Sequence, residues 1–141
     1  TSGLYSEFSN NFVDTILKLG KLKNELDVVF DQIVSPTYAG DLAEAILTII
    51  KSKKFNMDNQ RTQIYHYCSN NAVSWYDFAN EVFKLSNISL KINPVELKEY
   101  PTLVKKPKYS VLNTEKTVQS FNVKTFGWKA SLKFCLLNAC I

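Results

Sequence analysis

Residues 26–50, LDVVFDQIVSPTYAGDLAEAILTII, restrict the fold most, because they set a short β-branched run, a proline turn and an amphipathic segment end to end. Val28, Val29 and Phe30 have strand-forming composition and are too short a run for a helix, which predicts a buried strand. Pro36 lacks an N–H and disfavours helix at Ser35, so nothing continues through it. Thr37 or Asp41 is placed to cap the next segment by accepting from free N–H groups of a first turn. Leu42, Ala45, Ile46, Ile49 and Ile50 recur at helical spacing and predict a helix with one apolar face. The unit is strand, loop, helix. Its loop carries Asp31, Gln32, Ser35 and Thr37, polar groups at the end of a strand, where α/β proteins place ligands.

The remaining chain keeps the same alternation. Residues 1–6 read as the end of a strand entering a loop. Asn10 and Asn11 offer caps for a helix running to about residue 22, with Phe12, Val13, Ile16, Leu17 and Leu19 along it. Residues 23–27 are a polar connection, residues 51–61 a surface loop, and residues 62–68, alternating and Tyr-rich, a strand. Ser74 and Asp77 have the spacing of a capping box ahead of Trp75, Phe78, Ala79, Val82, Phe83 and Leu85, the apolar face of a further helix. A short strand over 90–95 carries Pro94, which suits an edge. Residues 99–108 contain two prolines and read as a long loop. Asn113 or Thr114 caps a helix at about 115–120, and a last helix starts after Gly127 with Trp128, Leu132, Cys135, Leu136 and Ala139 on one side. Strands alternating with helices, with few hairpin signals, define the α/β class.

Composition excludes several functions. At 141 residues the chain can bury one real core. No apolar run is long enough to span a bilayer, and the first residues lack a signal peptide's basic and apolar regions, so no membrane role is expected. Net charge is +4, and apart from Lys51, Lys53, Lys54 and the group Lys105, Lys106, Lys108 the lysines are scattered. That pattern solvates a surface; it is not the dense stripe of a nucleic-acid module. Cys68, Cys135 and Cys140 form no C-x-x-C pair, and one histidine leaves a zinc site short of ligands, so they read as thiols of a reducing cytoplasm. His66, between Tyr65 and Tyr67, reads as structural, and no G-x-S-x-G elbow occurs. Beginning at Thr1 without Met, the chain is expected to be a fragment or a processed product.

DQIVSPTYAGDLAEAI at 31–46 resembles the DQ-x-G-[SA]-PT and DLA signature of the dTDP-4-dehydrorhamnose reductases, extended members of the short-chain dehydrogenase/reductase superfamily. TSGLYS (1–6), NNF (10–12), WYDFA (75–79), EYPT (99–102) and KKPKYSVLNTEK (105–116) match in the same order and cover nearly the whole chain. The resemblance implies the C-terminal part of a Rossmann-like, doubly wound sheet plus a small α/β substrate-binding lobe. Residues 1–55 would supply the last strands and helices of the sheet and residues 56–141 mostly the lobe, with elements of the two interleaving. The implied function is the substrate-binding portion of a cytoplasmic enzyme that reduces dTDP-4-dehydro-L-rhamnose to dTDP-L-rhamnose with NADPH, for polysaccharide biosynthesis. A magnesium ion is left open. The alternatives are a non-catalytic, reductase-like regulatory or binding subunit, as in methionine adenosyltransferase, and another nucleotide-sugar epimerase or dehydratase.

The family's cofactor loop and catalytic pair are not in this sequence. Gly3, Gly20, Gly40 and Gly127 are too far apart for a glycine-rich turn, and no tyrosine has a lysine four residues on. The chain alone is therefore expected to be inactive, with the NADPH site mostly upstream. The resemblance assigns Ser2 to the cofactor side. It assigns Gly3, Asn11, Phe12, Gln32, Ser35, Thr37 and Lys106 to the nucleotide-sugar substrate. Asn11 and Phe12 would meet phosphate at a helix start. Lys106 stands where relatives carry Arg, keeping the charge without the bidentate fork. Gly3 replaces a frequent Trp and Val34 a usual Gly, which limits stacking at the first position and backbone freedom at the second. A partial sheet would expose a strand edge and an apolar face, so either a homodimer through that surface or disorder near the N-terminus is expected.

Overall fold

The computed structural model describes residues 1–8, 10–56, 62–100 and 106–139. Strand β1 (Leu4–Tyr5) is followed by helix α1 (Phe12–Leu22), strands β2 (Glu25–Val29), β3 (Ile33–Val34) and β4 (Thr37–Tyr38), helix α2 (Ala39–Lys51) and a 3₁₀ turn (Lys53–Asn56). Strand β5 (Val73–Ser74) runs directly into α3 (Trp75–Leu85), and β6 (Lys91–Val95), α4 (Glu115–Phe121) and α5 (Trp128–Asn138) complete the order. The class is α/β, as the alternation predicts. Among the described residues no helix is long and apolar enough to cross a membrane.

The strands pair in twos. β1 lies parallel to β4 with Leu4 opposite Thr37, and β2 lies parallel to β6 from the Glu25–Lys91 pair to the Val29–Val95 pair. β3 and β5 are antiparallel, Ile33 opposite Ser74. β2 begins inside the expected polar connection because Glu25 and Asp27 face solvent while Leu26 and Val28 are buried, the alternation of a half-covered strand. Phe30 falls just beyond this strand and is 44% exposed, so the buried run ends one residue earlier than its composition implies.

Three helix starts show how local chemistry sets the elements. Asn11 caps α1, its Oδ1 accepting from Val13 N and Asp14 N. Ser74 caps α3, its Oγ accepting from Asp77 N at 3.0 Å, which is the N-cap half of the expected capping box; the Asp77 carboxylate accepts from the Ser74 hydroxyl at 2.7 Å rather than from its N–H. α2 departs from expectation: its N-cap is Tyr38, with no side-chain cap. Thr37 sits one step early, in β4, where its N–H donates to Gly3 O and its hydroxyl to Ser35 O. Asp41 lies inside the first turn and accepts from Ser131 Oγ on α5. At α4, Asn113 Oδ1 accepts from Glu115 N while Thr114 holds the cap position without a side-chain bond.

The main core lies between α1, α3 and α5 and the strands β1, β2 and β4, with Phe78, Ala79, Val82 and Leu132 fully buried. A second cluster joins Ala45 of α2 to Tyr67, Phe121 and Val123. Residues 62–68 do not form the expected strand. No neighbouring strand reaches them; the side chain of Thr117 donates to His66 O, Lys116 Nζ to Ile64 O, and Tyr67 donates to Lys124 O. Alternation produces an extended segment, but a ladder also needs a partner, and here α4 takes that place. The 3₁₀ turn occupies part of the expected 51–61 loop, whose residues 57–61 lie outside the described residues, as do 101–105 of the second loop and Cys140. Cys68 and Cys135 are free and buried, and burial pushes the Cys135 thiol up to about 12.

Candidate functional site

The three turns around Asp31, Gln32 and Pro36 gather the chemistry. β3 hangs between β5 and residues 108–110: Ile33 N donates to Lys108 O at 2.8 Å and Ser110 N to Ile33 O at 2.9 Å. Gln32, only 7% exposed, donates from Nε2 to Pro107 O at 3.1 Å, and its own carbonyl accepts from Trp75 N. Gln32 thus ties the Lys106 loop to the first turn of α3.

Beside these ties an open cleft of about 1010 Å³ runs along α1, strand β2 and residues 95–100. Phe12, Gln32, Trp75, Leu97, Tyr100 and Lys106 are among the residues that line it. Phe12 and Trp75 form its aromatic wall, with ring centroids 4.3 Å apart. Phe12 also stacks on buried Phe78, which fixes the wall to the core. Lys106 is exposed and, among the described residues, has no ion-pair partner. Lys108 is paired with Asp31 instead. The acids on the β2 side are engaged as well: Asn93 Nδ2 donates to Glu25 Oε2 and Asp27 Oδ1. That bond, with Lys91 beside it, holds the Glu25 carboxyl below its ordinary value. An apolar, aromatic-walled cavity with a free cation and a buried amide suits a flat ring attached to an anionic group.

The expected site residues divide into two groups. Phe12, Gln32 and Lys106 meet at the cavity, and Asn11 adjoins it as the cap of α1, with its Nδ2 donating to Ser6 O. Ser2, Gly3, Ser35 and Thr37 gather instead at the β1–β4 ladder. Ser35 and Thr37 are 1% and 0% exposed, so the Thr37 hydroxyl bond to Ser35 O lies wholly inside the turn. Gly3 has φ +54°, and a Cβ there would stand 3.2 Å from Pro36 Cα and 3.5 Å from Trp75 Cη2. The Trp75 ring therefore connects the two groups, lying against Gly3 and lining the cavity. Val34, expected to restrict its loop, is 2% exposed and paired with Val73 in the β3–β5 ladder, and its φ is not positive.

Two contributors have partners that the sequence does not indicate. Trp75 reads there as one more apolar position of α3, although an aromatic at the first helical residue comes just after a strand end, where clefts form. Asp31 belongs to the polar loop, but its partners Lys108 and Leu97 are distant in sequence. No group of three or more His, Cys, Asp or Glu among the described residues is placed to hold a metal ion. The four glycines, Gly3, Gly20, Gly40 and Gly127, form no glycine-rich turn, and Ser2 is buried at 9% exposure.

A dTDP-4-dehydrorhamnose reductase from Aggregatibacter actinomycetemcomitans is 39% identical over 140 residues, covering 94% of this chain and 47% of that protein. The spore coat polysaccharide biosynthesis protein SpsK of Bacillus subtilis (strain 168) is 35% identical, covering 94% and 44%. In structure, dTDP-4-dehydrorhamnose reductase from Clostridium acetobutylicum ATCC 824 superposes with a TM-score of 0.84 at 38% identity, over 95% of this chain and 45% of that one. The enzyme of that name from Bacillus anthracis str. Ames, solved in complex with NADP, gives 0.83 at 30% identity, over 96% and 46%. The chain thus spans about half the length of the curated relatives it matches, and its fold is the Rossmann-like fold of these reductases. Residues 1–140 match the RmlD substrate binding domain, and the chain belongs to that family.

Proposed function

We propose that this chain is the nucleotide-sugar-binding portion of an NADPH-dependent dTDP-4-dehydrorhamnose reductase, acting in the cytoplasm in the synthesis of dTDP-L-rhamnose. The observation that carries the reading is the cavity joining the Phe12–Trp75 wall, the Gln32 amide and unpaired Lys106. In it the base lies against the aromatic wall, Gln32 meets a polar edge of the nucleotide, and Lys106 faces the diphosphate. Asn11 holds the start of α1 so that its N-terminal dipole also points at negative charge. Ser35 and Thr37 keep the turn rigid behind Gly3, and Ser2 and Gly3 face the cofactor side at the end of β1. Residues 1–55 supply strands and helices of the Rossmann-like sheet and residues 56–141 the substrate lobe, interleaved through the β2–β6 and β3–β5 pairs.

NADPH supplies hydride in the intact enzyme, and this chain's residues position the sugar nucleotide rather than donate the proton. Without a Tyr-x-x-x-Lys pair the isolated chain binds and does not turn over. The test mixes the chain with dTDP-4-dehydro-L-rhamnose and NADPH, and separately titrates it with each nucleotide. The reading expects dTDP binding, weak or no NADPH binding and no NADPH oxidation. Tight NADPH binding or turnover contradicts it.

A further inference from the structure

Gln32 sits where the aromatic wall meets the Lys106 loop. Its main-chain carbonyl accepts from Trp75 N at 3.3 Å, and its side-chain Nε2 donates to Pro107 O at 3.1 Å. A carbonyl oxygen only accepts, so Nε2 must be the amide atom that faces Pro107, and Oε1 turns the other way. Oε1 has no hydrogen-bond partner among the described residues and is not sealed from solvent, so it opens into the cleft that Gln32 lines. The other neutral amide and hydroxyl side chains of that lining, Asn24 and Thr15, are exposed, whereas Gln32 is buried. The carboxylates of Glu25 and Asp27 already accept from Asn93. Gln32 Oε1 is thus a neutral acceptor fixed in direction and nearly dry, where a mismatched ligand group is costly.

We propose that Gln32 selects the base: its Oε1 accepts from a ring N–H, so the cleft takes a pyrimidine that carries a proton on N3, as thymine and uracil do, and rejects cytosine, whose N3 is a lone pair. This rests on the nucleotide reading of the cleft and adds to it the atom that is read. A base lying flat on the Phe12–Trp75 wall presents only its in-plane edge to a side chain at the end of that wall. An acceptor at that place favours an edge with a donor. Cytosine sets two acceptors against each other, and the amide cannot turn over to meet it without giving up its bond to Pro107. A site built to receive one hydrogen bond rejects the analogue that lacks it far more strongly than an apolar pocket rejects a missing methyl.

The test is a calorimetric titration of the chain with dTDP, dCDP and the diphosphate of N3-methylthymidine. Affinity for dTDP is expected to exceed that for either of the others about tenfold or more. Gln32→Met keeps the length of the side chain and removes the acceptor, so it brings dTDP down to the level of dCDP. Asp31→Asn loosens the Lys106 loop without touching Oε1; it weakens dTDP and dCDP by the same factor and keeps their ratio. The ratio therefore separates reading the base from supporting the loop. The three ligands decide on the unaltered chain even if Gln32→Met does not fold. Binding of dCDP or of the N3-methyl ligand as tight as that of dTDP overturns the role of Gln32 and leaves the nucleotide reading standing. A preference for dTDP that survives in Gln32→Met does the same. No binding of any of the three overturns the nucleotide reading, and the base selection with it.

Discussion

Asp31 Oδ2 lies 2.8 Å from Lys108 Nζ, and Oδ1 of the same carboxylate accepts from Leu97 N at 2.7 Å. One side chain thereby ties together the two segments that flank the cavity, residues 96–100 and 106–108. The Lys108 hydrogen bond, then the Leu97 N–H, holds the carboxyl below its ordinary value. Asp31→Asn keeps at most part of this tie, so dTDP affinity should fall several-fold with little change in melting temperature. Calorimetric titration beside thermal denaturation separates the two effects.

The same pair sets an acid limit. Because the folded-state value is depressed, the stabilisation is present above the ordinary carboxyl range and is lost as pH falls through the lower folded value. Ligand affinity should therefore hold from neutral pH to about 4 and then drop. Asp31→Asn should remove that acid step, which a titration series over pH reads directly.

Asp41 has the opposite sign. Burial raises its value, and the Ser131 hydroxyl only partly offsets this. A carboxyl raised in the fold favours the folded state while protonated, so its contribution weakens as pH rises from below about 4 through the folded value. Asp41→Asn keeps an acceptor for Ser131 and should flatten that slope, leaving the protein as stable or more so at neutral pH. Urea unfolding in acid and at neutral pH checks it.

The sequence is most legible where one local rule settles the structure. Asn11 and Ser74 open α1 and α3 at the expected places because side-chain capping acts within a few residues, and α5 starts after Gly127 as expected although that residue has extended φ and no side-chain cap. The strand expected over 62–68 does not form, because pairing depends on a neighbour that the segment itself does not encode. The face of α2 differs for a similar reason: Ile46 and Ile50 repeat with Ala45, but periodicity does not say which side the core lies on. At the site, motif resemblance points to Phe12, Gln32 and Lys106, and the structure brings them to one cavity. Asp31 is placed in the polar loop by the sequence, but its ties to Lys108 and Leu97, like the contact of Trp75 with Gly3, are made only after folding.

Gly3 has a purely conformational reason to stay glycine. At φ +54°, with the position of a Cβ 3.2 Å from Pro36 Cα, Gly3→Ala should cost about 1–2 kcal/mol of stability. For comparison, Ser74→Ala removes the α3 cap and should cost about 1 kcal/mol. Denaturant titration measures both, and only Gly3→Ala should also disturb Trp75 fluorescence.

The most direct measurement is the calorimetric affinity of the chain for dTDP, compared with Lys106→Ala and Lys106→Arg. If Lys106 faces the diphosphate from the edge of the cavity, binding is saturable, weakens about tenfold in Lys106→Ala, and is kept or improved by the bidentate Lys106→Arg. Absence of dTDP binding, or an affinity unchanged in Lys106→Ala, would contradict the assignment of this cavity to a nucleoside diphosphate.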